Sequence, residues 1–318
     1  MTIIPIRFWI YRKSIIEIEP GGTTTTPPTE LDLQKAMDVL NGHFQNNGMK
    51  IRFVMLPSEI IFDIDAVVIE NNSEAASLNV QNRDNQAMNI HIVKKLTTNS
   101  GTASGSFYSG GDFIIGSRGA LSGANLNLLS HEIGHYFGLE HTHRNSTGNK
   151  CNQESVSRNR RFPLYCLSNL GSLICERSGD GFCDTPADPN LIIYLHNVQA
   201  DCSYKGTETD NWGDTYRANP RNIMSYSQVN ICTDYFSPLQ VGAMNFNLQI
   251  SSTPQSLLLG IPYRPFIKDT NDNFLNADRY EPDNSAEVAR PIALGETQCH
   301  SFSTIQNFVD ERDRRAHV

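Results

Sequence analysis

Apolar Ile4, Ile6, Phe8 and Ile10 alternate with other residues, among them Arg7, and this period of two predicts a strand near Ile4 to Tyr11. The period then lengthens. From about Leu31 to Asn47, residues Leu33, Ala36, Met37, Leu40 and Phe44 recur at helical spacing and form one apolar face. Shorter apolar runs predict strands near Ile51 to Met55, Met88 to Val93 and Asp112 to Ile115. Leu128 to Leu139 reads as an amphipathic helix, and another is expected after Pro238 with Val241, Met244 and Leu248 turned inward. Strands interleaved with helices make residues 1–130 an α/β upper half. Thr23 to Pro28 reads as a surface connection.

Composition narrows the class. A chain of 318 residues can bury one full core and a smaller second unit, and its net charge of -8 argues against nucleic acid or an anionic membrane as the main partner. No apolar run approaches the roughly 20 residues of a membrane span. The start lacks the basic, apolar and small-residue regions of a signal peptide, so the expectation is either that export information lies outside this chain or that the reading frame is incomplete. Of seven cysteines, Cys151, Cys166, Cys175, Cys183, Cys202 and Cys232 fall in one loop-rich region that disulfides would staple, which points to an oxidising destination. Six cysteines permit fifteen pairings, and spacing alone does not choose among them. A zinc site built from them would need close C-x-x-C pairs, and none is present.

The chemistry concentrates in His131-Glu132-Ile133-Gly134-His135-Tyr136-Phe137-Gly138-Leu139-Glu140-His141, which spells H-E-x-x-H-x-x-G-x-x-H. Residues four apart share a helix face, so His131 and His135 can direct their rings at one ion. Glu132, one step round, is placed to accept a proton from a water on that ion. Gly138 can take the left-handed conformation that ends a helix, after which His141 closes the site as third ligand. Three protein ligands leave a fourth position open, the arrangement of a catalytic zinc. With nine histidines in the chain, H-E-x-x-H alone arises by accident in roughly one such chain per hundred, and the added glycine and histidine make accident far rarer. The alternative is a core helix with ordinary hydrogen-bonded histidines. His143 lies nearby, but the motif does not require it as a ligand.

Downstream, Asn222-Ile223-Met224-Ser225-Tyr226-Ser227 adds a methionine and a tyrosine. Together with the zinc motif this segment resembles the metzincins, whose zinc helix is followed by a methionine-containing turn beneath the metal. The resemblance makes Met224 that packing methionine, and Tyr226 a hydroxyl able to bond the oxyanion of a tetrahedral intermediate. A tyrosine merely packed against the turn is the alternative. Within the metzincins the chain is most similar to the pappalysin family, in its bacterial secreted form, through His131 to His143, Gly179 to Pro189 and Asn222 to Gln240. The likeness spans most of residues 1–260. Two departures are Ser237, where threonine is usual, and the longer, more basic stretch Arg144 to Leu173.

The resemblance implies a metzincin-type zincin: a twisted mixed sheet carrying the zinc helix above, and a loop-rich, disulfide-stapled lower subdomain. Phe113 to Gly116, reached through the Gly- and Ser-rich stretch Gly101 to Gly111, is then expected to edge the cleft, where an extended substrate adds as a strand. The same likeness favours disulfides Cys175–Cys202 and Cys183–Cys232, leaving Cys151 with Cys166. Gly179 to Pro186 is acidic and glycine-punctuated, a composition that can wrap calcium. Structural calcium around this loop in pappalysin-like enzymes makes Asp180 and Thr185 candidates, with a plain tight turn as the alternative. Residues 261–277 read as a linker. Residues 278–318 resemble the incomplete start of an appended β-sandwich domain, with Cys299 in a loose tail and a truncation or frame change expected near Asn307; a short docked extension is the alternative.

The expected function is that of a secreted, monomeric zinc endopeptidase acting on proteins or peptides. A catalytically silent metallopeptidase-like binding protein and a zinc-storage module are the competing expectations.

Overall fold

The computed structural model describes residues 1–13, 27–63, 68–69, 72–98, 101–103, 107–109, 113–121, 126–166, 171–227 and 232–250. The expected linker, the sandwich-like segment with Cys299, and most of Thr23 to Pro28 lie outside these residues. The architecture is mixed α/β. Its organising element is β1 (Thr2–Arg12), flanked in parallel by β2 (Ile51–Met55) along its first half and β3 (Glu59–Phe62) along its second. On its other side β5 (Met88–Val93) pairs in parallel, followed by parallel β9 (Phe113–Ser117) and antiparallel β8 (Phe107–Ser109). A second small sheet joins β4 (Val68–Ile69), β6 (Lys95–Thr98) and β7 (Gly101–Ala103). The cleft-edge expectation is corrected here: β9 is interior and wholly buried, and β8 pairs along its free side. Its apolar Phe113-Ile114-Ile115 run is what a strand covered on both faces needs.

Alternation along β1 sorts its side chains. Ile4, Ile6, Phe8 and Ile10 join Met88, Ile90, Ile92 and Ile114 beneath α1 (Glu30–Asn46). The helix presents Leu33, Ala36, Met37, Leu40 and Phe44 to that face, as its spacing predicts. Tyr11, Val93, Phe113 and Ile115 face the opposite side with Ala75 and Leu78 of α2 (Asn72–Gln81). Thr29 starts α1 with a capping box: its hydroxyl accepts from Asp32 N at 3.3 Å, and Asp32 Oδ2 accepts from Thr29 N at 2.9 Å. Phe44 meets Phe53 and Phe236 edge-on with centroids 5.0 and 5.4 Å apart, and each such pair adds about 1 kcal/mol beyond area burial. Because Phe236 follows the Met224 segment, α1 ties the sheet to the lower half.

Below the sheet, residues 137–227 hold little regular structure. Two short 3-10 turns, Ile174–Glu176 and Leu195–Asn197, are their only described helical elements. Three disulfides close them: Cys151–Cys166, as the resemblance implied, with Cys175–Cys183 and Cys202–Cys232 in place of the crossed pairs Cys175–Cys202 and Cys183–Cys232. The reason is local geometry. Gly179 and Gly181, at φ +62° and +84°, fold the chain back so that the Cys175 and Cys183 Cα atoms lie 4.9 Å apart. Cys202 itself sits at φ +62° in a tight turn and pairs across 30 residues with Cys232. In the loop-entropy view that closure, which spans the Met224 segment, removes about 3.5 kcal/mol of unfolded-state freedom. Among the described residues no helix is long and apolar enough to cross a membrane. The last helix, α4 (Pro238–Ile250), buries Met244 and Leu248 against the core.

One buried network affects stability against acid. His91 is fully enclosed: Nδ1 lies 3.0 Å from the Tyr11 hydroxyl and Nε2 lies 3.2 Å from Asn79 Oδ1. An amide oxygen only accepts, so Nε2 carries the proton and Nδ1 accepts from Tyr11. Burial pushes His91 from 6.5 down to about 3. Between those values the unfolded chain binds the extra proton and the folded one does not, so stability falls as pH drops from 6.5 towards 3. In urea titrations between pH 6 and 4, wild type is expected to lose about 1.4 kcal/mol more per pH unit than His91→Gln. Equal slopes for the two proteins would contradict this assignment.

Candidate metal centre

Helix α3 (Asn127–Tyr136) packs Leu129, Ile133 and Tyr136 into the main core and carries His131, Glu132 and His135. Ser130 Oγ meets His43 Nδ1 of α1 at 2.8 Å, fixing the rotation of one helix against the other. The helix ends where the sequence places Gly138. That residue has φ +87°, its N–H donates to His135 O at 2.8 Å, and Leu139 N donates to Gly134 O at 3.0 Å, the two bonds of a Schellman ending. This ending also serves the site. It turns Leu139 O towards His135 Nδ1, 2.7 Å away, and sends the chain back to bring His141 under the helix.

The three Nε2 atoms converge. Their separations are 3.1 Å for His131 and His135, 2.9 Å for His135 and His141, and 3.2 Å for His131 and His141. His131 Nδ1 donates to Ile223 O at 2.6 Å, as His135 Nδ1 does to Leu139 O. Both rings therefore keep their proton on Nδ1 and turn an Nε2 lone pair inward. Zinc at about 2.05 Å from three tetrahedrally placed nitrogens would hold them about 3.3 Å apart. The observed triangle is within a few tenths of an ångström of that, so the three nitrogens could hold such an ion between them. Burial, then the neighbouring imidazole, pushes His131 down to about 3. Burial, then His131 and His135, pushes His141 down to about 2. The rings are thus neutral at pH 7, as ligation requires. Among the described residues this is the one group of three or more side chains of metal-ligating type able to share an ion. The donor set is compatible with zinc and other divalent metals that imidazole suits.

Around the triad, the expected partners assemble. Tyr226 has ring centroids 4.5 Å from His141, 4.5 Å from His143 and 5.7 Å from His131. Its hydroxyl pKa is raised, first by burial and then by the charge of nearby Glu132, so it stays a donor. Glu132 is buried on α3 and lies outside the triad. His143 stacks on His141 at 4.8 Å and likewise lies outside the ligand group. Met224 is fully buried beneath the helix, held by Asn222 Oδ1, which accepts Met224 N at 2.9 Å.

No family model and no curated protein matches this chain. A solved structure described as "Structure of a chaperone-substrate complex" is similar at 12% identity with a TM-score of 0.31, over 74% of this chain and 35% of that one. This chain thus spans about a third of that protein's length, and a likeness this slight carries no argument about fold or function.

Asp180 and Thr185, the calcium candidates, do come together, but as partners of each other. Asp180 Oδ1 accepts from Thr185 Oγ1 at 2.7 Å and Phe182 N at 3.1 Å, and Oδ2 accepts from Gln240 Nε2 at 3.1 Å. These contacts hold the Gly179 to Pro186 segment in a tight turn. Three residues that shape the metal centre were given no individual role by sequence reasoning. Buried Asp188 accepts from the Thr142 hydroxyl at 2.7 Å and the Ser225 hydroxyl at 2.8 Å, tying the segments on either side of the triad. Its only signal was a carboxylate between two prolines. Asn247 of α4 donates to Phe137 O at 2.8 Å and clamps the helix ending. Gly134 occupies a nominally variable motif position, yet a Cβ there would lie 2.5 Å from Met224 Sδ.

Gly134→Ala is therefore expected to lower the unfolding free energy by about 1–3 kcal/mol through overpacking against Met224. The matching control is Gly42→Ala on α1, where an added Cβ meets nothing within 4 Å. That change is expected to be neutral or to stabilise by up to about 1 kcal/mol through helix propensity. Urea titration of both variants checks the pair, and a Gly134→Ala protein as stable as Gly42→Ala would contradict it.

Proposed function

We propose that this chain is a secreted zinc endopeptidase of the pappalysin-like metzincin type, acting on proteins or peptides as a monomer. The observation that carries the reading is the convergence of His131, His135 and His141 through Nε2, with Glu132 and Tyr226 beside them. Three disulfides and the lack of a membrane-length helix among the described residues support an extracellular setting. Calcium at Asp180 and Thr185 is not needed for this reading.

Bound zinc would supply Lewis acidity, bringing the pKa of water towards about 7 and polarising a peptide carbonyl. The protein supplies the rest. Glu132, held on the helix next to His131, accepts the proton of the attacking water and later returns it to the leaving amine. The Tyr226 hydroxyl, kept protonated by burial and by Glu132, donates to the oxyanion that develops on the substrate carbonyl. Ile223 O and Leu139 O hold the rings of His131 and His135, so ligand geometry need not reorganise during turnover.

Glu132→Ala is expected to bind one zinc per chain as wild type does, yet lose about a thousandfold in hydrolysis of a denatured protein. Metal analysis and cleavage assays on the same preparation test this. Cleavage by the variant near the wild-type rate would refute the role of Glu132, and absence of hydrolysis by zinc-loaded wild type would refute the peptidase reading.

A further inference from the structure

A cavity of about 270 Å³ lies in the lower half, where Arg158 and Arg217 meet the Cys183 to Ala187 segment. Its size decides what kind of ligand it can take. Drug-sized ligands occupy roughly 300–1,000 Å³, so this space suits one side chain of a longer molecule.

Its polar groups are unevenly committed. Arg158 already donates to Glu154 Oε1 at 2.6 Å, to Thr185 O at 2.9 Å, to Val156 O at 3.3 Å and to Ser155 O. Asp184 accepts from Ser237 Oγ and Leu239 N, both at 2.8 Å, so each of its oxygens is occupied. The Thr185 hydroxyl is given to Asp180 and Phe182 O. Arg217 differs. It is exposed, lines the cavity, and makes no hydrogen bond or ion pair among the described residues. In a chain of net charge -8, this guanidinium has no ion pair among the described residues and shares the lining with apolar Val156, Pro186 and Ala187 and with the Asp184 carboxylate, whose oxygens are turned to Ser237 and Leu239.

The cavity adjoins, along the chain, a residue bonded to both segments that flank the metal centre. Its Ala187 wall is followed directly by Asp188, which accepts the Thr142 and Ser225 hydroxyls. Thr142 adjoins His141, and Ser225 adjoins Met224. A ligand seated on this wall therefore contacts the residue that precedes Asp188 in the chain.

Resting on the peptidase reading, we infer that this cavity is a substrate subsite for an acidic side chain, with Arg217 as its specificity-determining residue. The methylenes of a glutamate lie along Val156 and Pro186, and its carboxylate takes the free fork of Arg217. A free small carboxylate offers the same chemistry, and the experiment separates the two.

The test uses the full zinc-loaded chain and its Arg217→Glu variant, which removes no side-chain bond among the described residues and is expected to keep wild-type zinc content and melting temperature. Binding is measured first, with unstructured peptides carrying Glu or Gln at one position. Wild type is expected to bind the Glu peptide about tenfold more tightly, the scale of one charge-assisted hydrogen bond, with the preference shrinking in high salt. In Arg217→Glu the preference should vanish or reverse. Equal binding of the two peptides by wild type, or an unchanged preference in the variant, overturns the proposal. Displacement of the Glu peptide by millimolar glutarate as effectively as by the peptide itself also overturns it, assigning the pocket to free small anions. Cleavage of a mixed peptide library is read separately: acidic residues enriched at one fixed distance from the cut site support the subsite, and even cleavage without such enrichment counts against it. A chain that binds acidic peptides through Arg217 but cuts none would sink the peptidase reading while leaving the pocket's preference standing.

Discussion

Two imidazole nitrogens that both present lone pairs do not rest 3.1 Å apart without something positive between them, and this constraint shapes the centre of the molecule. His131 and His135 are in that position because their Nδ1 protons are committed to Ile223 O and Leu139 O. Burial keeps the rings neutral and so prevents a bound proton from relieving the repulsion. The fold thus holds a cage whose electrostatics a divalent cation satisfies.

Maintaining that cage takes elements that are distant in sequence. The helix ending contributes Leu139 O, the segment after it contributes His141, and the Met224 turn contributes Ile223 O from about ninety residues on. Each is anchored to something rigid. Asn247 of α4 holds Phe137 O, Asp188 joins Thr142 to Ser225, and Asn47 at the end of α1 donates to Asp234 O and accepts Phe236 N. The Cys202–Cys232 bridge then limits how far the turn can depart. A lower half with so little regular structure stays in place because side-chain hydrogen bonds and disulfides replace the ladders that strands would supply.

Much of the upper half was legible in the sequence, because its elements are long and periodic. Alternation placed β1, and the five positions that spacing assigns to the apolar face of α1 are the five that are buried. The zinc motif gave the triad for the same reason: helical spacing and a glycine stop are local. What escaped was non-local or short. The strands β3, β4, β6, β7 and β8 have two to four residues each, too few to show a period. The place of β9 inside the sheet depended on β8 pairing beside it. Disulfide partners are set by three-dimensional turns at Gly179, Gly181 and Cys202, which no spacing rule encodes. Gly134 looked like a free motif position because its constraint comes from Met224, ninety residues away in sequence. Asp188 looked like one acidic residue among several because its two hydroxyl partners lie on separate segments.

The central claim is that three neutral imidazoles, positioned by one helix and its left-handed ending, share an ion and leave a side open. X-ray absorption at the zinc edge of the loaded protein tests it most directly. The account predicts three nitrogen neighbours at about 2.0–2.1 Å with one further oxygen, and a loss of one imidazole in His141→Ala. A shell of sulfur or of six oxygens, or a spectrum unchanged by His141→Ala, would contradict it.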